Sequence, residues 1–368
     1  MARVLALLAC VAAGAASAAL GGSTDRVTWF AGPAQFVSPT FGYLVAGWRR
    51  MPGEPSLGFG GGLYLYRSGS WTKARTAGLD GDIEDAAFPD EKHGWIASYD
   101  CAHTGVSVYR TADGGTTWHR LRVRATHSCG GGPTYLSFPN PRDGWLEPVS
   151  PNGPGGLLLR TENGGTTWRL IGEGADCLRR ITAISASIAW MACGRLDRTV
   201  DGGRTWYRQT LPLPARWREH ATTSAGDPRF FGDDGVVPVT VWSHRGTAVL
   251  FYATRNAGRT WELVAAHPTG GFCDRSFLWP SDPMATVSIA SPTTWWVASG
   301  RLGRIDVTSD GGRHWASRPS LDGWCAVSRL TAGSAALAWI TPRTTRGAPL
   351  YETRDGGRTW RPVVLPLR

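Results

Sequence analysis

Thr111-Ala112-Asp113-Gly114-Gly115-Thr116-Thr117-Trp118 returns five times along the chain, as TENGGTTW from Thr161, TVDGGRTW from Thr199, TRNAGRTW from Thr254, TSDGGRHW from Thr308 and TRDGGRTW from Thr353. The tryptophans that close these segments, Trp118, Trp168, Trp206, Trp261, Trp315 and Trp360, stand 50, 38, 55, 54 and 45 residues apart. Spacings of that size match one four-stranded unit of a repeat fold, which takes ~40–50 residues. An Asp or Asn in a tight hairpin accepts hydrogen bonds from backbone N–H groups two residues on, and the glycines take the positive φ that the turn needs. The Thr before the Trp can add its hydroxyl, and the Trp buries a large apolar surface between neighbouring units. Asp113, Asn163, Asp201, Asn256, Asp310 and Asp355 are therefore read as hairpin acceptors that serve the fold. His314 stands where the other copies have Thr and is expected to lose that hydroxyl bond.

A second signal precedes most of these segments. Gly94-Trp95, Gly144-Trp145, Ala189-Trp190, Trp295-Trp296 and Ala338-Trp339 each follow a turn and open a short apolar run, 16 to 23 residues before the closing Trp. The order within a unit is then strand A, a turn, strand B opening on the aromatic, strand C entering the eight-residue turn, and strand D leaving it. Upstream, Phe36 to Val45 has the same A-turn-B form and leads to the shortened turn Ser68-Gly69-Ser70-Trp71, 47 residues before Trp118. Counting it gives seven units, near 27–76, 83–124, 134–172, 179–210, 217–265, 284–318 and 326–366. The expectation is an all-β fold, a seven-bladed β-propeller of four-stranded antiparallel blades, forming one domain over 19–368. Glycine (48), proline (24) and 19 tryptophans fit short strands and many turns.

Met1-Ala2-Arg3, the apolar run Val4 to Ala13 and the closing Ala16-Ser17-Ala18 read as a signal peptide over 1–18. Export follows from that reading, with lipid anchoring through Cys10 as the lesser alternative. No later segment approaches the ~20 consecutive apolar residues of a membrane helix. The six remaining cysteines form no CxxC pair, so neither a zinc site nor any other metal is expected. Their positions in the strand order pair Cys177 with Cys193 across the A–B hairpin of the fourth blade. The same reading pairs Cys101 with Cys129 and Cys273 with Cys325 between loops of adjacent blades.

The eight-residue pattern resembles the aspartate box, or bacterial neuraminidase repeat, of sialidases, xyloglucan-cleaving glycosidases, sortilin-type receptors and photosystem II assembly factors. The fuller unit, F/S-x5-G-W followed by T-x-D-G-G-R-T-W, is most similar to the photosystem II assembly and stability factor family over residues 27 to 365. That resemblance implies an extracytoplasmic, noncatalytic assembly scaffold. A sialidase resemblance implies an Arg-Ile-Pro motif near the N-terminus; the nearest string is Arg180-Ile181-Thr182, in the fourth blade.

A glycoside hydrolase remains the alternative function, and it needs two carboxylates about 5–10 Å apart. Asp80, Asp82, Glu84, Asp85, Glu147, Asp233 and Asp234 are placed on the face opposite the eight-residue turns, and solvated loop charge is the blander account of them. There is no GxSxG, P-loop or HExxH motif, and no cofactor is expected. The formal net charge is +10 with two lysines, Lys73 and Lys92. That charge suits an acidic protein surface or an anionic glycan or envelope component, whereas nucleic acid does not suit an exported chain. Arg49, Arg50, Arg179, Arg180, Arg195, Arg245, Arg275, Arg301 and Arg343 are expected to converge on the loop face opposite the turns. Trp324 would add an apolar anchor there, since interfaces favour Arg and Trp. A monomer is expected.

Overall fold

The computed structural model describes residues 27–31, 34–50, 59–76, 78–79, 82–100, 105–123, 134–148, 157–173, 181–192, 194–244, 246–269, 285–299, 304–319, 327–342 and 350–366. Seven antiparallel sheets follow one another along the chain. Blade 1 holds β1 (Val27–Ala31), β2 (Gln35–Ser38), β3 (Phe41–Arg50), β4 (Phe59–Arg67) and β5 (Ser70–Lys73); blade 2 holds β6 (Asp82–Ala87), β7 (Gly94–Asp100), β8 (Gly105–Thr111) and β9 (His119–Leu121). Blade 3 is β10 (Thr134–Ser137), β11 (Gly144–Pro148), β12 (Leu157–Thr161) and β13 (Arg169–Glu173); blade 4 is β14 (Ile181–Ala183), β15 (Ala189–Ala192), β16 (Leu196–Thr199) and β17 (Tyr207–Gln209). Blade 5 contains β18 (Thr222–Ala225), β19 (Arg229–Phe231), β20 (Asp234–Ser243), β21 (Gly246–Thr254) and β22 (Glu262–Pro268). Blade 6 runs through β23 (Ala285–Ile289), β24 (Trp295–Ser299), β25 (Arg304–Thr308) and β26 (Ala316–Pro319), and blade 7 through β27 (Val327–Ala332), β28 (Ala338–Pro342), β29 (Leu350–Thr353) and β30 (Arg361–Val363). The protein is a seven-bladed β-propeller of four-stranded blades, and blades 1 and 5 split their inner strand into two pieces that pair with one long neighbour.

The F/S-x5-G-W unit explains how blades stack. In blade 1 a Cβ at Gly42 would meet the Phe36 ring at 2.6 Å, so the glycine lets the ring lie flat on strand B. That Phe then stacks on the strand-B Trp of the preceding blade: Phe138 on Trp95 with centroids 3.7 Å apart, and Phe36 on Trp339 at 4.2 Å. The closing Trp of the turn caps the stack edge-on, as Trp168 does on Phe138 at 6.0 Å and Trp261 on Trp190 at 5.5 Å. Trp71 sits against Phe36 and Trp339 in the same arrangement, so blades 7 and 1 close the ring with the same contact used elsewhere. The core is thus a series of inter-blade clusters, in which Trp95, Trp145, Trp190, Trp295, Trp296 and Trp339 are fully buried.

Candidate functional site

The eight-residue turns mark one face. In blade 2 the buried Thr111 hydroxyl donates to Asp113 Oδ1 at 2.7 Å and accepts from Gly115 N at 2.9 Å. Asp113 Oδ1 also accepts from the N–H groups of Thr116 and Thr117, and Oδ2 accepts from the Thr117 hydroxyl at 2.6 Å. The acceptor therefore serves donors three and four residues on rather than two, and the first Thr, which sequence reasoning passed over, is the buried hub. His314 corrects a second expectation: its Nδ1 lies 2.6 Å from Asp310 Oδ2, so the imidazole supplies the bond that the hydroxyl makes elsewhere. These bonds hold the turn carboxyls low: the Thr205 hydroxyl and N–H keep Asp201 at about 2, and the Thr117 bonds pull Asp113 further below the usual range.

Each turn is tied to the A–B turn of its own blade. Gly114 N donates to Lys92 O at 2.8 Å, Gly202 N to Ser187 O at 2.9 Å and Ala257 N to Asp233 O at 2.8 Å. Ser68 N donates to Thr40 O at 2.9 Å in the same way, although the blade 1 turn has lost its acid. The bond from Ala257 corrects the placement of Asp233 and Asp234: they form the A–B turn of blade 5, on the face of the eight-residue turns and not opposite it. The split inner strand hid this, because β19 lies below β18 on β20 and carries the chain to the turn face.

Arginines at the ends of the C strands also serve this face. Arg67 Nη2 donates to Gly114 O of blade 2, Arg198 Nη2 to Ala257 O of blade 5 and Arg318 Nε, from a D strand, to Gly356 O of blade 7. Arg67, Arg110 and Arg198 lie over Phe41, Trp95 and Trp190 at 5.0–5.5 Å. Part of the arginine excess is therefore inter-blade stapling, and its signal was an Arg directly before the turn at Arg67, Arg110, Arg160 and Arg198.

The inner strands surround an axial cavity of about 900 Å³. Strand pairing places Gln35, Ala87, Ser137, Thr182, Arg229, Ser288 and Thr331 at one level, opposite Tyr43, Trp95, Trp145, Trp190, Val236, Trp296 and Trp339 of the B strands. Only Arg229 is charged. Its Nη2 donates to Phe36 O of blade 1 at 2.6 Å, a blade that is not its neighbour, so the side chain spans the axis. Arg329 lines the cavity two residues before Thr331, and Asp227 is its one carboxylate among the described lining residues. Nearby, Tyr43 donates to Gln35 Oε1 at 2.7 Å. Smaller groups clip adjacent blades: Asp85 Oδ2 accepts from Leu136 N, Ser137 Oγ from Ala183 N and Ser288 Oγ from Ala332 N.

Asp85 is thus spent on the fold, and Glu147 is not a cleft carboxylate. Glu147 is 1% exposed on β11, and neither of its carboxylate oxygens has a hydrogen-bond partner among the described residues. Alternation puts it on the face of β11 that carries Trp145, which packs on Ile181 and Met191 of blade 4. The matching positions, two residues beyond Trp95, Trp190 and Trp296, are Ala97, Ala192 and Ala298. Burial pushes the Glu147 carboxyl up to about 8. Two other buried acids are paired: Asp197 with Arg195 Nε at 2.7 Å, and Asp306 with Arg304 Nε and His267 Nε2, both at 2.8 Å. Burial opposes the Asp306 charge, but bonds from His267, Ser317 and Arg304 outweigh it and hold the carboxyl below its ordinary range.

On the loop face the backbone of Arg49 lies at the upper end of β3, where Arg49 pairs with Phe59 and Thr28. Arg179, Arg180, Arg275, Arg301, Arg343, Trp324 and the six cysteines lie outside the described residues. Among the described residues no three His, Cys, Asp or Glu side chains cluster as metal ligands, and no helix is long and apolar enough to cross a membrane.

No family model and no curated protein matches the chain. Solved structures do. YCF48 from Cyanidioschyzon merolae is 17% identical, with a TM-score of 0.49 over 79% of this chain and 87% of that one. The GH74 xyloglucanase from Xanthomonas campestris is 13% identical with a TM-score of 0.41, covering 92% of this chain but 62% of its own. Oligogalacturonate lyase from Vibrio parahaemolyticus is 9% identical, with a TM-score of 0.50 over 90% and 98%. At such identities the likeness is one of fold, and fold alone does not fix function.

Proposed function

We propose that the chain is an exported, noncatalytic binding propeller. It recognises an acidic protein surface or an anionic envelope component through the loop face opposite the eight-residue turns, which we read as aspartate boxes. The observation that carries this reading is the unequal height of the blades. Among the described residues, β3–β4 and β20–β21 pair over nine residues each, whereas the B–C hairpins of blades 3, 4 and 6 pair over three to five. The turn face is spent on internal bonds, whereas long hairpins frame the other end of the axis. The resemblance of the repeat unit to the photosystem II assembly and stability factor family supports a scaffold role, and the arginines placed on this face by sequence supply the charge. The test is affinity capture from a cell-envelope extract with the mature protein, run beside a fluorogenic glycoside panel. A salt-sensitive partner with no hydrolysis is expected; turnover of any glycoside would replace the scaffold reading with that of an enzyme.

A further inference from the structure

The axial cavity has features that ring closure does not require. At the level of Arg229 the other blades carry neutral side chains, Gln35 in blade 1 and Ala, Ser or Thr elsewhere, yet blade 5 breaks its inner strand at Gly226-Asp227-Pro228 and then places an arginine across the axis. One Nη of Arg229 donates to Phe36 O, and the guanidinium carries further N–H donors in the cavity that it lines. Arg329, on β27 of blade 7, also lines the cavity. Gln35 accepts the Tyr43 proton at Oε1, so its amide N–H2 is left to donate. The walls between these groups include Phe36, Phe138, Leu136, Val287 and Leu330. A volume near 900 Å³ falls within the range of small-molecule sites, which are mostly apolar with a few fixed polar groups. The Arg229 side chain is open to this space, which suits a ligand that carries negative charge.

We propose that the axial cavity is a binding site for a small organic carboxylate, with Arg229 as its fixed anchor and Arg329 as a second cation on the wall. The carboxylate accepts from Arg229 while an apolar or sugar body lies against the walls. Packing among the inner strands pulls the Arg229 guanidinium below its ordinary pKa although the side chain is open to the cavity, and an anion beside it offsets that cost. This site does not depend on the loop-face arginines, and it can stand if the scaffold reading fails.

Saturation-transfer NMR and calorimetry on the mature protein would use benzoate and galacturonate as probes, each against its uncharged analogue, benzamide and galactose. At least one carboxylate should bind and its analogue should not. Arg229→Gln should weaken that binding tenfold or more, as expected for loss of a charge-assisted hydrogen bond. Because Arg229→Gln also removes the bond to Phe36 O, Arg329→Gln provides the second variant, with a several-fold loss expected per folded molecule. Failure of both carboxylates to bind the wild type at 10 mM, as an approximate ceiling for a specific site, would overturn the proposal. So would equal affinity in both variants.

Discussion

Replacing Glu147 by Gln should abolish a pH dependence of stability that the wild type carries. The folded protein holds the Glu147 proton up to about 8, whereas the ordinary value is 4.5. Between these limits the unfolded chain has released a proton that the folded chain keeps, so stability falls as pH rises. The fall is about 1.4 kcal/mol per pH unit, and it levels off above about 8, where both states are ionised. Over the window this amounts to about 5 kcal/mol, a large fraction of a typical folding free energy of ~5–15 kcal/mol. Gln has the shape of the protonated acid and does not titrate. Urea unfolding followed by tryptophan fluorescence at pH 5, 6, 7 and 8 would read the difference between variant and wild type. Near-equality at pH 5 is expected, with a growing advantage for Glu147→Gln towards pH 8. Parallel profiles across the range would refute the assignment of Glu147 as an uncompensated buried acid.

The turn carboxyls act in the opposite sense. With Asp201 held at about 2 against an ordinary 3.8, its contribution is present above about pH 4 and is lost as pH falls through 2, so Asp201→Ala should melt lower than wild type at pH 7 and approach it near pH 2 in a thermal titration. Ala257 occupies a left-handed backbone position with φ 52°, where the other turns place glycine, so Ala257→Gly should stabilise by about 1 kcal/mol in chemical denaturation. Peptide mapping without reduction should find Cys101–Cys129, Cys177–Cys193 and Cys273–Cys325; six free thiols would remove the oxidising compartment, and other partners would change the loop assignment.

Local chemistry was the legible part. The turn is recognised because its bonds join residues two to four apart, from Thr111 to Thr117. Even the blade 1 turn, stripped of its acid, could be placed by the distance from Trp71 to Trp118, and Ser68 makes the inter-turn bond that Gly114 makes in blade 2. Long-range features were not legible. Arg229 and Phe36 are 193 positions apart, and nothing near either one signals that they meet. The break between β18 and β19 moved Asp233 and Asp234 to the wrong face, because an A strand in two pieces looks like a strand and a loop. Glu147 looks like a cleft acid because strand B of blade 3 reads as ending before it, yet β11 runs on to Pro148 and the neighbours of Glu147 on that face belong to the next blade. The loop-face arginines rest on strand order alone.

The central claim is that partners engage the loop face and that the turn face serves the fold. It is tested most directly by measuring, per folded molecule, how the component captured from the cell envelope binds to Arg179→Glu/Arg275→Glu and to Asp113→Ala/Asp355→Ala. Rim charges govern encounter and partner choice more than folding. The account predicts that the arginine double variant melts like the wild type and binds weakly, with a reduced dependence on salt, while the turn variant melts lower and binds normally. Unaltered binding by the arginine variant, or lost binding by folded turn variant, would contradict it.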